Sequence, residues 1–156
     1  MMCSRHIAAL QLAGGVEPTV RLHPDGTIHE TILLVDDDQA VRRVAQRILE
    51  LHGYDVVAVA TGDEALNVLA STDEEMPVDL LLTDLNMPGM GGVELARRIG
   101  EEQPALRVLF TSGAPPAIDA DAPWMDVAAH FIEKPYAISE LARRVREVLA
   151  ADPPAH

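Results

Sequence analysis

Apolar residues in this chain fall into two kinds of run, and the two alternate. Short, nearly continuous runs stand at Thr31–Val35 and at residues 55–60, 78–83, 107–111 and 130–133, and they read as strands. Between them apolar residues recur every third or fourth position. Residues 39–51 place Val41, Val44, Ala45, Ile48 and Leu51 on one helical face, with Gly53 beyond as a stop signal. Thr61 and Glu64 stand at capping-box spacing at the head of a helix running to Ala70. A third helix is predicted over residues 93–102, ahead of Pro104. Residues 137–150 form an amphipathic helix, with Ile138, Leu141, Val145, Val148 and Leu149 on one side.

Strands that are apolar almost throughout are buried on both faces, so the alternation predicts an α/β domain: a parallel sheet with helices on both sides. Residues 1–30, with Gly14, Gly15, Pro18, Pro24 and Gly26, keep no period and read as a tail or linker. Residues 31–150 form the domain, and residues 151–156 a second tail. Between Gly113 and His130 the pattern fails. Pro115, Pro116 and Pro123 allow only a short or irregular helix there.

The length of 156 residues suits one core, and with aromatics at 3% that core must be built from Leu, Val, Ile and Ala. A formal charge of -13 sets the chain against nucleic-acid phosphates and anionic lipid, so direct nucleic-acid binding is not expected. No apolar run approaches the roughly 18 residues that span a bilayer. The segment after Met1 is a thin match to a signal peptide, and the lone Cys3 cannot form an internal disulfide. A cytoplasmic location, away from membranes, is the expectation.

In open α/β sheets ligands bind beyond the carboxyl ends of the strands. Here the first strand runs into Asp36, Asp37 and Asp38, the third into Asp84, the fourth into Thr111 and Ser112, and the fifth into Glu133 and Lys134. Carboxylates converging in a partly buried pocket repel one another unless a cation intervenes. Hard oxygen donors suit Mg2+, with Mn2+ as a substitute, and magnesium commonly shares its remaining positions with phosphate. With such a cation in place, one carboxylate can act as a nucleophile toward phosphorus.

Four segments in order carry a specific resemblance. They are Ile32-Leu33-Leu34-Val35-Asp36-Asp37-Asp38, then Leu80-Leu81-Leu82-Thr83-Asp84-Leu85-Asn86-Met87-Pro88-Gly89-Met90-Gly91-Gly92, then Val108-Leu109-Phe110-Thr111-Ser112-Gly113, and finally Phe131-Ile132-Glu133-Lys134-Pro135-Tyr136. Together they resemble the response-regulator receiver domains of two-component signalling, over about residues 31–150. The resemblance implies a flavodoxin-like, doubly wound (βα)5 fold with strand order 2-1-3-4-5. It implies metal binding by Asp36, Asp37, Asp84 and the backbone carbonyl of Asn86, with Asp84 as phosphoacceptor and Asp38 exposed.

The switch hydroxyl falls on Ser112 rather than Thr111, the phosphate-binding lysine on Lys134, and the aromatic switch on Phe131. The Lys134-Pro135 bond is one that the family holds cis. The implied partner is a sensor histidine kinase or histidine phosphotransfer protein. Because few residues follow the last helix, output is expected through a separate protein, through self-association as a homodimer, or by passing the phosphate onward. A receiver belonging to a hybrid histidine kinase fits the same residues.

Other readings attach to the same features. The Asp run alone could cap a helix, and Asp84 before Met87-Pro88-Gly89 could form a turn. Asp36 and Asp38 give the Asp-x-Asp spacing of aspartate-nucleophile phosphatases, but Gln39 stands where those enzymes usually place glycine. A flavin phosphate would be repelled by three carboxylates. Arg42, Arg43 and Arg47, like Arg143, Arg144 and Arg146, read as solvated faces, with docking of a histidine-bearing helical partner as the functional alternative for the first helix. His6, His23, His29 and His52 lack metal-ligand spacing.

Overall fold

A computed structural model describes residues 29–71, 78–114 and 130–151. Five strands, β1 (Thr31–Val35), β2 (Asp55–Val59), β3 (Leu80–Asp84), β4 (Arg107–Ser112) and β5 (Phe131–Glu133), form one sheet in the order β2-β1-β3-β4-β5, with every pairing parallel. The described residues contain four helices: α1 (Gln39–Leu51), α2 (Gly62–Ser71), α3 (Gly92–Glu102) and α4 (Ile138–Ala150).

Alternation along the strands divides the core in two. Leu33, Val35, Leu81, Val108 and Phe110 face one way and pack with Ala65 of α2 and Leu95, Ala96 and Ile99 of α3. Ile32, Leu34, Leu80, Leu82, Leu109 and Ile132 face the other way, onto Ala45, Ile48 and Leu49 of α1 and Leu141, Val145 and Val148 of α4. This is the expected doubly wound architecture, and it explains why polar residues in the strands fall toward their ends.

Helix ends follow local chemistry. The Asp38 carboxylate accepts from the amides of Ala40 and Val41 at 2.9 and 3.1 Å, capping α1. Beyond α1, Gly53 turns the chain at φ +89°, a conformation that favours glycine. The predicted capping box appears as Glu64 N–H donating to Thr61 Oγ1 at 3.1 Å, with the Glu64 carboxylate returning to the amide of Ala60 at 3.1 Å.

Several element ends differ from the expected positions by one or two residues. The third strand was expected from Val78 but starts at Leu80; just before it, the Asp79 carboxylate accepts the Thr31 amide at 2.7 Å while the Asp79 N–H donates to Thr31 O at 2.8 Å. Strand β4 runs one residue further, to Ser112, which pairs with Glu133. His130 precedes β5 rather than belonging to it, although its carbonyl accepts from Phe110 N–H at 2.7 Å. The proline-rich stretch expected to be irregular falls, over residues 115–129, outside the described residues.

Candidate functional site

Strand order reverses between β1 and β3, and the crevice beyond their carboxyl ends is where such sheets bind ligands. Asp36 and Asp84 stand on its two sides, 2% and 8% exposed. Asp37, next in the chain, is exposed. Carboxylate oxygens of Asp36, Asp37 and Asp84 lie within 4.8 Å of one another. The Asp run therefore divides its labour: Asp36 points into the crevice, Asp37 lies at its rim, and Asp38 is committed to the helix cap.

Lys134 closes the pocket from the end of β5. Its Nζ donates to Asp36 Oδ2 at 2.7 Å and to Asp84 Oδ2 at 3.0 Å. Burial works against the ammonium, but its hydrogen bonds to Asp36 and Asp84 and their charges outweigh that, holding its pKa above the ordinary lysine range. The peptide Lys134-Pro135 is cis, as the resemblance implied.

Asp84 and Ser112 are tied together through Asn86. The Asn86 amide N–H donates to Asp84 Oδ1 at 3.1 Å, and its side-chain Nδ2 donates to Ser112 Oγ at 2.9 Å. Ser112 is 1% exposed and also accepts from the Ala114 amide at 3.3 Å. Thr111 lies one pleat earlier, opposite Asp84 in the ladder, and its carbonyl accepts from Leu85 N–H at 2.8 Å. Phe131 is half-buried and packs against the α2–α3 side of the core.

The donor set fits a divalent cation. Three carboxylates against one ammonium leave two negative charges in a crevice of hard oxygens, the complement of Mg2+. Beside the crevice lies an open, mainly apolar groove of about 410 Å³, lined by Ala40, Val41 and Val44 of α1 and by Lys134, Pro135 and Tyr136.

Two features escaped sequence reasoning. Arg42 was expected on a solvated face, but its Nη1 donates to the backbone carbonyl of Asp36 at 2.7 Å. The resemblance involves Asn86 only through its backbone carbonyl, but its side chain also reaches the Ser112 hydroxyl. On α4, Arg143 and Arg144 do pair with Glu147 on the surface, at 2.7 and 3.2 Å.

Residues 32–146 match the family model of the response regulator receiver domain, and the chain belongs to that family. Its CheY-like fold and acidic cluster are those of a two-component phosphoacceptor rather than a classical enzyme. It is 39% identical over 123 residues to the response regulator receiver protein CpdR of Brucella abortus (strain 2308), covering 77% of this chain and 97% of that one. Sensor kinase CckA of the same strain is 37% identical over 120 residues, which is 76% of this chain but 12% of the kinase. The chain spans about half, 52%, of further response-regulator relatives. Among solved structures, the non-phosphorylated HemR receiver domain from Leptospira biflexa superposes with a TM-score of 0.68 at 29% identity, covering 81% of this chain and 99% of that one. Among the described residues no helix is long and apolar enough to cross a membrane.

Proposed function

We propose that this chain is a phosphorylation-dependent switch in a phosphorelay, accepting a phosphoryl group from a phosphohistidine onto Asp84. The observation that carries this reading is the convergence of Asp36, Asp37 and Asp84 beside Lys134, whose ammonium already bridges two of the acids. Asp36, Asp37, Asp84 and the carbonyl of Asn86 would hold Mg2+, which would neutralise charge on the transferring group.

An Asp84 carboxylate oxygen attacks phosphorus as the phosphorus–nitrogen bond of the donor breaks, and the imidazole leaves. Charge spreads over the equatorial phosphoryl oxygens, so catalysis is mostly positioning and electrostatic stabilisation. Lys134 supplies a cation at that point, and Ser112 a hydroxyl donor on the neighbouring strand. Once Ser112 engages the phosphate, Phe131 on β5 follows it inward, biasing a two-state surface around β4 and β5.

The partner is a sensor histidine kinase or a histidine phosphotransfer protein. Its helix would lie in the apolar groove beside Lys134, where Val44 is 57% exposed. The phosphatase reading loses its second acid, because Asp38 Oδ1 is occupied by the amides of Ala40 and Val41.

Intact mass after incubation with Mg2+ and acetyl phosphate tests the proposal. The expected result is a Mg2+-dependent gain of one phosphoryl mass, abolished by Asp84→Asn. A gain that survives Asp84→Asn would move the acceptor elsewhere, and no gain in the unaltered protein would remove the phosphoacceptor role.

A further inference from the structure

We infer that Arg42 is a positioning residue for the cation site, fixing the Asp36–Asp37 peptide so that Asp37 faces the crevice. The inference rests on the site proposed above. Asp36 is held at every polar atom: its N–H donates to Val59 O at 3.2 Å, Oδ1 accepts from the Asp38 amide at 2.9 Å, and Oδ2 accepts from Lys134. Its carbonyl is held by Arg42 at 2.7 Å. That carbonyl belongs to the peptide plane that leads into Asp37, so fixing it fixes the direction in which Asp37 leaves the strand.

Asp37 needs such help. Among the described residues no hydrogen bond holds its carboxylate, and it is the exposed member of the acidic trio. An exposed carboxylate left to its own rotamers would spend much of its time in water, and ordering it would subtract from the binding energy of the cation.

The place of Arg42 in its helix supports the same conclusion. It lies in the opening turns of α1, where the helix dipole disfavours a cation, and the first turn holds no acid. A positive side chain kept there at half burial and turned back onto a backbone carbonyl is poorly explained as a solvated face. The guanidinium has a fixed partner immediately behind the site.

The test is Mg2+ affinity by isothermal titration calorimetry for the unaltered protein, Arg42→Met and Arg42→Lys, with thermal melts in EDTA to confirm folding. Groups that orient metal ligands typically contribute about 10- to 100-fold to metal affinity, and a loss near the lower limit, about tenfold, is expected for Arg42→Met. Arg42→Lys, which keeps one donor and the charge, should recover part of it. In Arg42→Met, labelling by acetyl phosphate should slow at low Mg2+ and return to the unaltered rate at saturating Mg2+.

The sign is decisive. If Arg42 acted only through its charge, removing a cation beside three acids would tighten Mg2+ binding. Unchanged or tighter binding in Arg42→Met, with the unaltered protein binding normally, would therefore overturn this inference alone. Absence of Mg2+ binding in the unaltered protein would overturn it together with the proposed site.

Discussion

At the scale of the residue, the most crowded of the described glycines lies against Asp84, the proposed acceptor. A Cβ on Gly92 would overlap the backbone carbonyl oxygen of Asp84, whereas one on Gly100, in the same helix, would meet nothing within 4 Å. Helix propensity favours alanine over glycine by about 0.8–1 kcal/mol in a helix interior such as that around Gly100, and by less at Gly92, the first residue of α3. The two substitutions should therefore part in sign. Gly100→Ala is expected to stabilise by about 0.5–1 kcal/mol, and Gly92→Ala to destabilise by about 1–3 kcal/mol while slowing labelling of Asp84. Urea denaturation of the pair checks this, and equal stabilisation of both would mean that α3 does not press on Asp84. Asp84 and Lys134 were legible because each stands at the end of a visible apolar run, whereas that run left Thr111 and Ser112 both open and the choice of Ser112 rested on the resemblance. Arg42 and the side chain of Asn86 were not legible, since their partners are a backbone carbonyl and a serine 26 positions away, and no period reports such contacts. The available hint for Arg42 was a cation in the opening turns of a helix, where an acid is the better neighbour.

At the scale of the element, α3 carries its own electrostatic clamp. Glu94, in its first turn, accepts from Arg97 and Arg98, and these hydrogen bonds draw its pKa down to about 2. A carboxyl whose folded pKa is depressed contributes stability that is fully present above its unfolded pKa, near 4.5, and is lost as pH falls through about 2. The Glu94 side-chain carboxyl should titrate well below the ordinary glutamate range when followed by carbon NMR, and the shift should shrink with added salt because all three side chains are in solvent. A midpoint at the ordinary glutamate value in low salt would mean that the clamp does not form in solution. The elements themselves were largely readable. The bounds of β1 and α1 coincide with those expected, since an apolar strand, an N-cap acid and a terminal glycine all agree there. Strand ends were less legible where a side chain shares in the bonding between strands, as Asp79 does before β3, or where a polar residue still pairs, as Ser112 does in β4.

At the scale of the whole molecule, charge is the governing quantity. The chain carries a formal -13, and self-repulsion works against its compact state. The acids of the crevice concentrate that repulsion, and Lys134 relieves it only for Asp36 and Asp84, leaving Asp37 outside the network. A cation bound by the folded state alone stabilises by about 2.7 kcal/mol at a hundredfold excess over its Kd. For a domain of this size that raises Tm by roughly 5–15 °C. Sodium chloride at matched ionic strength screens the general repulsion but does not occupy the crevice, so its effect should be smaller. The expected pattern is a rise in Tm with Mg2+, reversal by EDTA, and loss of most of the rise in Asp37→Asn. Because no hydrogen bond among the described residues depends on the Asp37 carboxylate, that variant should be as stable as the unaltered protein in EDTA, or slightly more so. If matched sodium chloride gives the same rise, or Asp37→Asn keeps it, the stabilisation is diffuse screening and the acid cluster is not a specific site.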